Sequence, residues 1–405
     1  MIRNVELETA RRLVLEKGRP PGAEKVGLLE AHGRVLAENI CAPMDQPSFN
    51  RSPLDGYALQ AADTRGAAPG SPVILEVIDT VYAGGCSTKE VTGGTAVCLM
   101  TGSPIPEGAD CVIRQENTRA VQGRVEIIKE LSRWENYCFK GEYSHKGDAI
   151  LDRGELLRAA EIGVLASLGI AAVPVYQKPA AAVISTGDEL VEPGTEPAPG
   201  RVYSSNCYTI ACRLKECGVK VVSTGIVGDD CGDIERAVAK VIDEVDFVIT
   251  TGGASVGEKD LIMETMGNLG AEIIFWKIKI KPGSPALFSV LKGKPVISLS
   301  GNPFAAAATF ELLLTPFLEK ITGNGSLGPN TLRAVLQNDF NKKSPLRRAL
   351  RGHFVQDDSG KALVEIVDRD QSPGNLQVAL NSNCFIDIQK GSAGLKRGEM
   401  VYIYF

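Results

Sequence analysis

Histidine and tryptophan are scarce in this chain, with three His (His32, His145, His353) and two Trp among 405 residues. None of the ten cysteines forms a C-x-x-C pair. Without that spacing and with so few histidines, a structural zinc or iron–sulfur site is not expected. Cys207, Cys212 and Cys217 recur at every fifth position, which rotates around a helix instead of converging on one face. They read as reduced, mostly buried thiols. No apolar run reaches the ~18 residues that a membrane span needs. The opening Met1-Ile2-Arg3-Asn4-Val5-Glu6 has no apolar signal core. Positive charge is not in excess: 44 Lys and Arg stand against 49 Asp and Glu, a net charge of −5. A nucleic-acid partner is therefore not favoured. Repeats, low-complexity segments and long linkers are missing too. These absences predict a soluble cytoplasmic protein with no membrane partner. The composition, 44% hydrophobic and 23% charged, is that of an ordinary globular chain, long enough for roughly two to four domains.

Glycine is plentiful, with 43 residues, and its placement is informative. Three apolar runs, Ala180–Ile184, Phe247–Thr250 and Pro295–Leu299, each end in a Gly-rich turn. The turns read Ser185-Thr186-Gly187-Asp188-Glu189, Thr251-Gly252-Gly253-Ala254-Ser255-Val256-Gly257 and Ser300-Gly301-Asn302-Pro303. Short β-branched runs with helical patterns after them predict parallel strands in βα units. Ligands of open α/β sheets sit beyond the carboxyl ends of such strands. Glycine lets the backbone approach a phosphate, and the next helix offers free N–H groups. The pattern predicts a site for a phosphorylated ligand and a divalent cation.

The rest of the chain divides by pattern. Residues 3–17 read as an amphipathic helix. Residues 45–150 are rich in Gly, Pro and Thr with β-like runs at 73–78, 96–100, 111–114 and 125–128, an all-β insertion. Helical spacing returns over Glu155–Leu168. Residues 178–322 are the βα region, with helical patterns at 205–217, 231–244, 260–269 and 303–321. From Leu332 to Phe405 the pattern alternates again.

Acids cluster at the predicted strand ends: Asp188 and Glu189, Asp229 and Asp230, Glu258 and Asp260. On a phosphate-binding face they need a cation between them and the ligand, and oxygen ligands suit Mg²⁺. The same acids also fit the role of helix N-caps. Lys277, Lys279 and Lys281 alternate with Ile278 and Ile280 before Pro282-Gly283-Ser284-Pro285. Period two puts the ammonium groups on one strand face, suited to an oxyanion or to a solubilised edge strand. Ser52-Pro53-Leu54-Asp55-Gly56-Tyr57-Ala58 and the stretch from Thr101 to Asp110 read on composition alone as hairpin loops.

Taken in order, these two segments, the three Gly-rich turns and the lysine stretch resemble the molybdopterin molybdenumtransferase family, the bacterial MoeA proteins and the gephyrin E domain. Gln371-Ser372-Pro373-Gly374-Asn375-Leu376 and Gly398-Glu399-Met400-Val401 resemble the family's last domain, so the resemblance covers essentially the whole chain. It implies a multidomain α+β and α/β fold, an elongated four-domain protomer. The implied parts are a discontinuous helical domain (1–44 and 145–176), an inserted β-rich domain (45–144), a central three-layer α/β molybdopterin-binding domain (177–325) and a C-terminal β-barrel (326–405). The implied reaction is Mg²⁺-dependent insertion of molybdate into adenylylated molybdopterin with release of AMP. It also implies a homodimer, with each cleft between the α/β domain of one subunit and the inserted domain of the other, and the pathway's adenylyltransferase as a further partner.

By motif, Asp55 matches the family's essential acid and Thr101 the hydroxyl of its T-G-x-P-x-P loop. Glu189, Asp229 and Asp260 match acids near the phosphates or cation, with Glu189 and Asp260 as metal ligands. Gly252, Gly253, Ser255 and Gly257 match the pterin phosphate loop, joined by Gly187, Asp188, Gly301, Asn302 and Pro303. Lys277 and Lys281 match the anion-binding lysines. The expected catalytic set is Asp55, Thr101, Glu189, Lys277 and Lys281. The chain departs from the family at Tyr143, where Gly-Glu-Asp has become Gly141-Glu142-Tyr143, and at Ser284, Ser300 and Ala305. Those departures favour a second reading: a paralogue that binds molybdopterin as carrier or scaffold with little turnover.

Overall fold

The computed structural model describes residues 1–253, 261–328, 330–367 and 374–405. Ser255, Gly257 and Asp260 lie outside the described residues, as do Gln371, Ser372 and Pro373. The chain forms two compact units. One comprises Met1–Ala37, Gly154–Arg158 and Ala172–Phe405, the other Glu38–Arg153 and Ala159–Ala171.

The larger unit is built on a seven-stranded sheet. Its order is Ile2–Val5, Glu272–Ile278, Leu287–Leu291, Lys294–Leu299, Phe247–Thr251, Ala180–Thr186 and Lys220–Val227. Lys294–Leu299, Phe247–Thr251, Ala180–Thr186 and Lys220–Val227 run parallel to one another. Their apolar residues alternate between two covered faces, which is why the runs are almost wholly hydrophobic. Ala181, Val183, Phe247, Ile249, Ile297 and Leu299 enter one core with the helices Leu7–Lys17, Asn206–Glu216 and Thr315–Thr322. Ala182, Ile184, Val248 and Val296 enter the other with Cys231–Val241 and Leu261–Asn268. The result is the expected three-layer α/β arrangement.

Thr331–Leu336, Arg347–Gln356, Ala362–Ile366, Cys384–Ile388 and Met400–Tyr404 close into a five-stranded barrel. Closure comes from Arg347–Gln356, which pairs with both Ala362–Ile366 and Cys384–Ile388. The expected C-terminal β-barrel is present. In the smaller unit, Cys111–Arg114, Gly56–Leu59, Thr95–Leu99, Val73–Val81, Arg124–Ile127 and Thr118–Val121 form one sheet in that order, the expected β-rich insertion.

Three local expectations are corrected. The helix read over residues 3–17 begins only at Leu7, because Ile2–Val5 is a strand parallel to Glu272–Ile278. A distant edge supplies its backbone partners, and that pairing overrides a local helical pattern. The helix read over 303–321 is interrupted by a π turn at Phe310–Leu314. The lysine stretch is not one strand. Lys277 takes a left-handed φ of 65°, the first strand ends at Ile278, and Ile280–Lys281 pairs with Arg347 and Arg348 of the barrel. The alternation survives in burial: Ile278 and Ile280 are buried, Lys277 and Lys279 half-buried and Lys281 exposed.

Candidate functional site

In register, Ser185 lies beside Thr251, and Thr251 beside Leu299, so three Gly-rich turns leave the sheet together. They enclose a cavity of about 300 Å³ lined by Thr186, Glu189, Ser204, Asn206, Gly301 and Pro303 among others. Contact between the turns is close enough to exclude side chains. Gly252 has φ 99°, and a Cβ there would lie 2.1 Å from the Thr186 carbonyl oxygen. A Cβ on Gly301 would lie 3.3 Å from the Gly252 Cα. Only glycine allows this approach. The turns are tied by the Gly252 N–H to the Leu299 carbonyl at 3.2 Å and by Asn206 Nδ2 to the Gly301 carbonyl at 2.8 Å. Ser185 and Thr251 share a hydroxyl hydrogen bond at 2.9 Å.

Two hydroxyls facing this region are orphaned. Thr186 Oγ1 and Ser204 Oγ are buried, in residues 3% and 2% exposed, and neither has a hydrogen-bond partner among the described residues. Buried polar groups are nearly always paired, so two orphans in residues that line one cavity set this place apart. Ser204 escaped the sequence reading. It follows the short strand Val202–Tyr203, and no motif signals it.

The acids behave differently from one another. Asp188 and Asp229 clasp adjacent loops: the Asp229 N–H donates to Asp188 Oδ1 at 3.1 Å and the Asp188 N–H to Asp229 Oδ2 at 3.3 Å. Asp230 caps Cys231–Val241 by accepting the Asp233 N–H at 3.0 Å, so capping is its structural role. Asn302 caps the helix opened by Pro303, accepting the Ala305 N–H at 3.3 Å. Glu189 is exposed and folds back over Gly187, its Oε2 lying 2.6 Å from where a Gly187 Cβ would be. Gly187, Asp188, Glu189, Asp229, Gly252, Gly253, Gly301, Asn302 and Pro303 are thus gathered at one end of the sheet. Lys277 and Lys281 do not line the cavity. The Lys277 Nζ lies 4.0 Å above the Trp276 ring, and the Lys279 Nζ donates to Glu6 at 2.9 Å.

In the smaller unit the structure joins Asp55 to Thr101. The Thr101 N–H and hydroxyl both donate to Asp55 Oδ1, at 2.6 and 2.8 Å. The first of these, then the second, holds the carboxyl below its ordinary range. The Gly102 N–H donates to the Ser52 carbonyl and the Ser52 N–H to the Ser103 carbonyl, which stitches the two motif loops together. Gly56 must be glycine because a Cβ would sit 1.9 Å from the Ile113 carbonyl oxygen. Tyr143 is 61% exposed, with Arg51 donating to its hydroxyl at 3.2 Å. The neighbouring acids are engaged. Glu142 accepts the Phe139 N–H at 2.8 Å and Asp148 the His145 N–H at 2.7 Å.

All ten cysteines are free. Burial pushes Cys217 up to about 11 and Cys111 and Cys384 up to about 12, so these three are not thiolates at neutral pH. No cluster of three or more His, Cys, Asp or Glu that could hold a metal occurs among the described residues. No helix among them is long and apolar enough to cross a membrane.

Comparison with known proteins covers the same ground. Residues 5–169 match the MoeA N-terminal region (domains I and II), 182–320 the probable molybdopterin binding domain, and 333–405 the MoeA C-terminal region (domain IV). A molybdopterin molybdenumtransferase of Staphylococcus epidermidis is 35% identical over 376 residues, covering 93% of this chain and 89% of the relative. One from Staphylococcus aureus is 34% identical over 396 residues, covering 98% and 94%. The crystal structure of the molybdopterin biosynthesis MoeA protein of Pyrococcus horikoshii is similar at a TM-score of 0.82 and 31% identity, covering 99% of this chain and 100% of that one. The chain belongs to the molybdopterin molybdenumtransferase family and is an enzyme of that type.

Proposed function

We propose that this enzyme acts in molybdenum cofactor biosynthesis, inserting molybdate-derived metal into adenylylated molybdopterin and releasing AMP, as a Mg²⁺-dependent cytoplasmic homodimer. The observation that carries the reading is the cavity at the strand ends. It combines the Gly301 backbone, which a phosphate can approach, with Thr186 and Ser204, whose hydroxyls have no partner among the described residues. On this reading Gly252 and Gly253, with Ser255 and Gly257, cradle the pterin phosphate. Asp188, Asp229, Gly187, Gly301, Asn302 and Pro303 shape the cradle. The pathway's adenylyltransferase would supply the substrate.

The acids at this rim offer only oxygen donors, which fits Mg²⁺. Like Asp188 and Asp229, Glu189 is exposed, but unlike them its carboxylate accepts no backbone N–H among the described residues, and Asp260 is its proposed companion. With no three-residue ligand cluster among the described residues, substrate phosphates and water would complete the shell. When bound, the cation supplies charge neutralisation for the phosphoanhydride. The chain's own groups do the rest. Lys277 and Lys281 add positive charge for the oxyanions. Asp55, kept ionised by Thr101, presents an acceptor that positions water. Both Thr101 bonds fall on Oδ1, and Oδ2 takes no bond from the described residues.

The second reading, a pterin-binding carrier with little turnover, is favoured by one observation. The carboxylates of Glu142 and Asp148 beside Tyr143, which on the motif resemblance replaces an acid, are already used within their own turns. The deciding experiment is AMP release from adenylylated molybdopterin by the purified protein, with and without molybdate and Mg²⁺. Release that requires both supports the enzyme. Stoichiometric binding without release supports the carrier. Light scattering should give about twice the chain mass of 43.1 kDa, and a monomer would remove the homodimer from the reading.

A further inference from the structure

A second cavity of about 300 Å³ opens at the other end of the central sheet. Four chain segments build it: the turn from Lys17 to Gly22, the approach Gln177–Pro179, Asp246, and the hairpin from Lys292 to Pro295. The last three lead into the parallel strands Ala180–Thr186, Phe247–Thr251 and Lys294–Leu299. The cavity therefore lies at their amino ends, roughly 17–23 Å from the glycine turns at the strand rise of ~3.3 Å per residue.

Its charge is one-sided. Lys17, Arg19, Lys178, Lys292 and Lys294 line it against a single carboxylate, Asp246. Three of the cations are engaged. Lys292 pairs with Asp243 at 2.7 Å, Lys294 donates to the Ile242 and Asp243 carbonyls at 2.8 and 3.1 Å, and Lys17 lies 3.6 Å from Glu272. Asp246 is spent on the Ala180 N–H at 2.7 Å. Arg19 and Lys178, on two separate segments, have neither an ion pair nor a hydrogen bond among the described residues.

The floor is apolar. Phe247, Phe317 and Ile321 are buried beneath it, with Phe247 and Phe317 edge to face at 5.4 Å. The Lys17–Gly22 turn is pressed onto this floor, since a Cβ on Gly18 would lie 3.1 Å from the Phe317 ring. Pro20, Pro21, Pro179 and Pro295 form the walls. Their fixed φ angles stiffen the rim and present hydrocarbon without N–H groups. Clefts with charge of one sign over low-dielectric walls concentrate counter-ions. Arginine's fork matches phosphate oxygens, and lysine adds a point charge. The volume is at the lower end for small-molecule sites.

The geometry points to a second ligand site, separate from the glycine cleft, for a phosphomonoester that carries a planar ring. Arg19 and Lys178 receive the phosphate, and the proline walls and phenylalanine floor receive the ring.

The test is photolabelling of the full-length protein with 8-azido-AMP and mapping of the modified peptides by mass spectrometry. Mapping separates this site from the glycine cleft, where AMP binds on the proposed function. Label should appear on the peptides carrying Lys17–Gly22 or Gln177–Pro179. The double substitution Arg19→Ala and Lys178→Ala should cut that label at least about tenfold, a loss of ~1.4 kcal/mol in affinity, and leave the melting temperature and any label at the cleft unchanged. Inorganic phosphate should compete far less well than AMP. No label on either peptide at millimolar probe, or label indifferent to the double substitution, overturns the site. Equal competition by phosphate overturns the ring recognition.

Discussion

Thr101 holds a single oxygen of Asp55 with two donors, its N–H at 2.6 Å and its hydroxyl at 2.8 Å, across a sequence gap of 46 residues. The depressed carboxyl pKa means that this pair adds stability above the unfolded-state pKa of ~3.9. That contribution is lost as the pH falls through the lower folded-state value. Thr101→Val keeps the N–H and removes the hydroxyl. The Asp55 titration midpoint should therefore rise toward the ordinary value without reaching it. NMR titration of selectively labelled aspartate measures it, and an unmoved midpoint would mean the hydroxyl bond contributes nothing.

Thr186 carries a buried hydroxyl with no partner among the described residues. An unsatisfied buried group costs about 1–3 kcal/mol. Thr186→Val should leave the free protein as stable as the native chain or up to about 1 kcal/mol more stable, while pterin affinity falls about tenfold. Chemical denaturation and calorimetry give the two numbers. A stability loss with unchanged affinity would make the hydroxyl structural.

Tyr143 accepts a hydrogen bond from Arg51 and, on the motif resemblance, takes the place of an acid. Tyr143→Asp should pair with Arg51 and, on the proposed function, raise AMP release several-fold. Glu142→Gln and Asp148→Asn weaken only turn-capping bonds, each worth about 0.5–1.5 kcal/mol, and should leave the rate nearly unchanged. A crippled Glu142→Gln enzyme would show that this carboxylate leaves its turn during catalysis.

Arg347 organises one side of the barrel. It binds Asp387 with two bonds of 2.9 Å and reaches Glu8 and the Tyr404 hydroxyl at 2.7 Å each. Asp387 is 6% exposed at its side chain, and Arg347 19%. Asp387→Ala strands a largely desolvated guanidinium and should cost about 2–4 kcal/mol, below the full penalty because Glu8 remains. Urea denaturation checks it; a loss under ~1 kcal/mol would place this pair among ordinary surface bridges.

The strands around Ala180, Phe247 and Pro295 were legible because burial on both faces forces an unbroken apolar run, and their turns because only glycine permits the approach that Gly252 makes to Thr186. The alternation of Lys277, Ile278, Lys279, Ile280 and Lys281 was legible as a burial pattern. It did not disclose the left-handed Lys277 or the transfer of Ile280–Lys281 to the barrel, since period two describes faces and not partners. The helix read over 303–321 hid its π turn for a similar reason: one extra residue per turn barely disturbs an apolar periodicity.

By itself the sequence determined what depends on neighbours along the chain: which stretches extend, which coil, where glycine must turn, and which motif order resembles a known family. Tertiary structure alone decided what depends on closure. It made Ile2–Val5 a strand by giving it the edge of Glu272–Ile278, and it brought Thr101 to Asp55. It left Thr186 and Ser204 without partners among the described residues in a shared cavity and brought Arg19 and Lys178 to the lining of another. Local pattern records only the period and polarity that backbone geometry demands. Which distant donor meets which acceptor follows from how the sheets pair and pack, and no single segment carries that information.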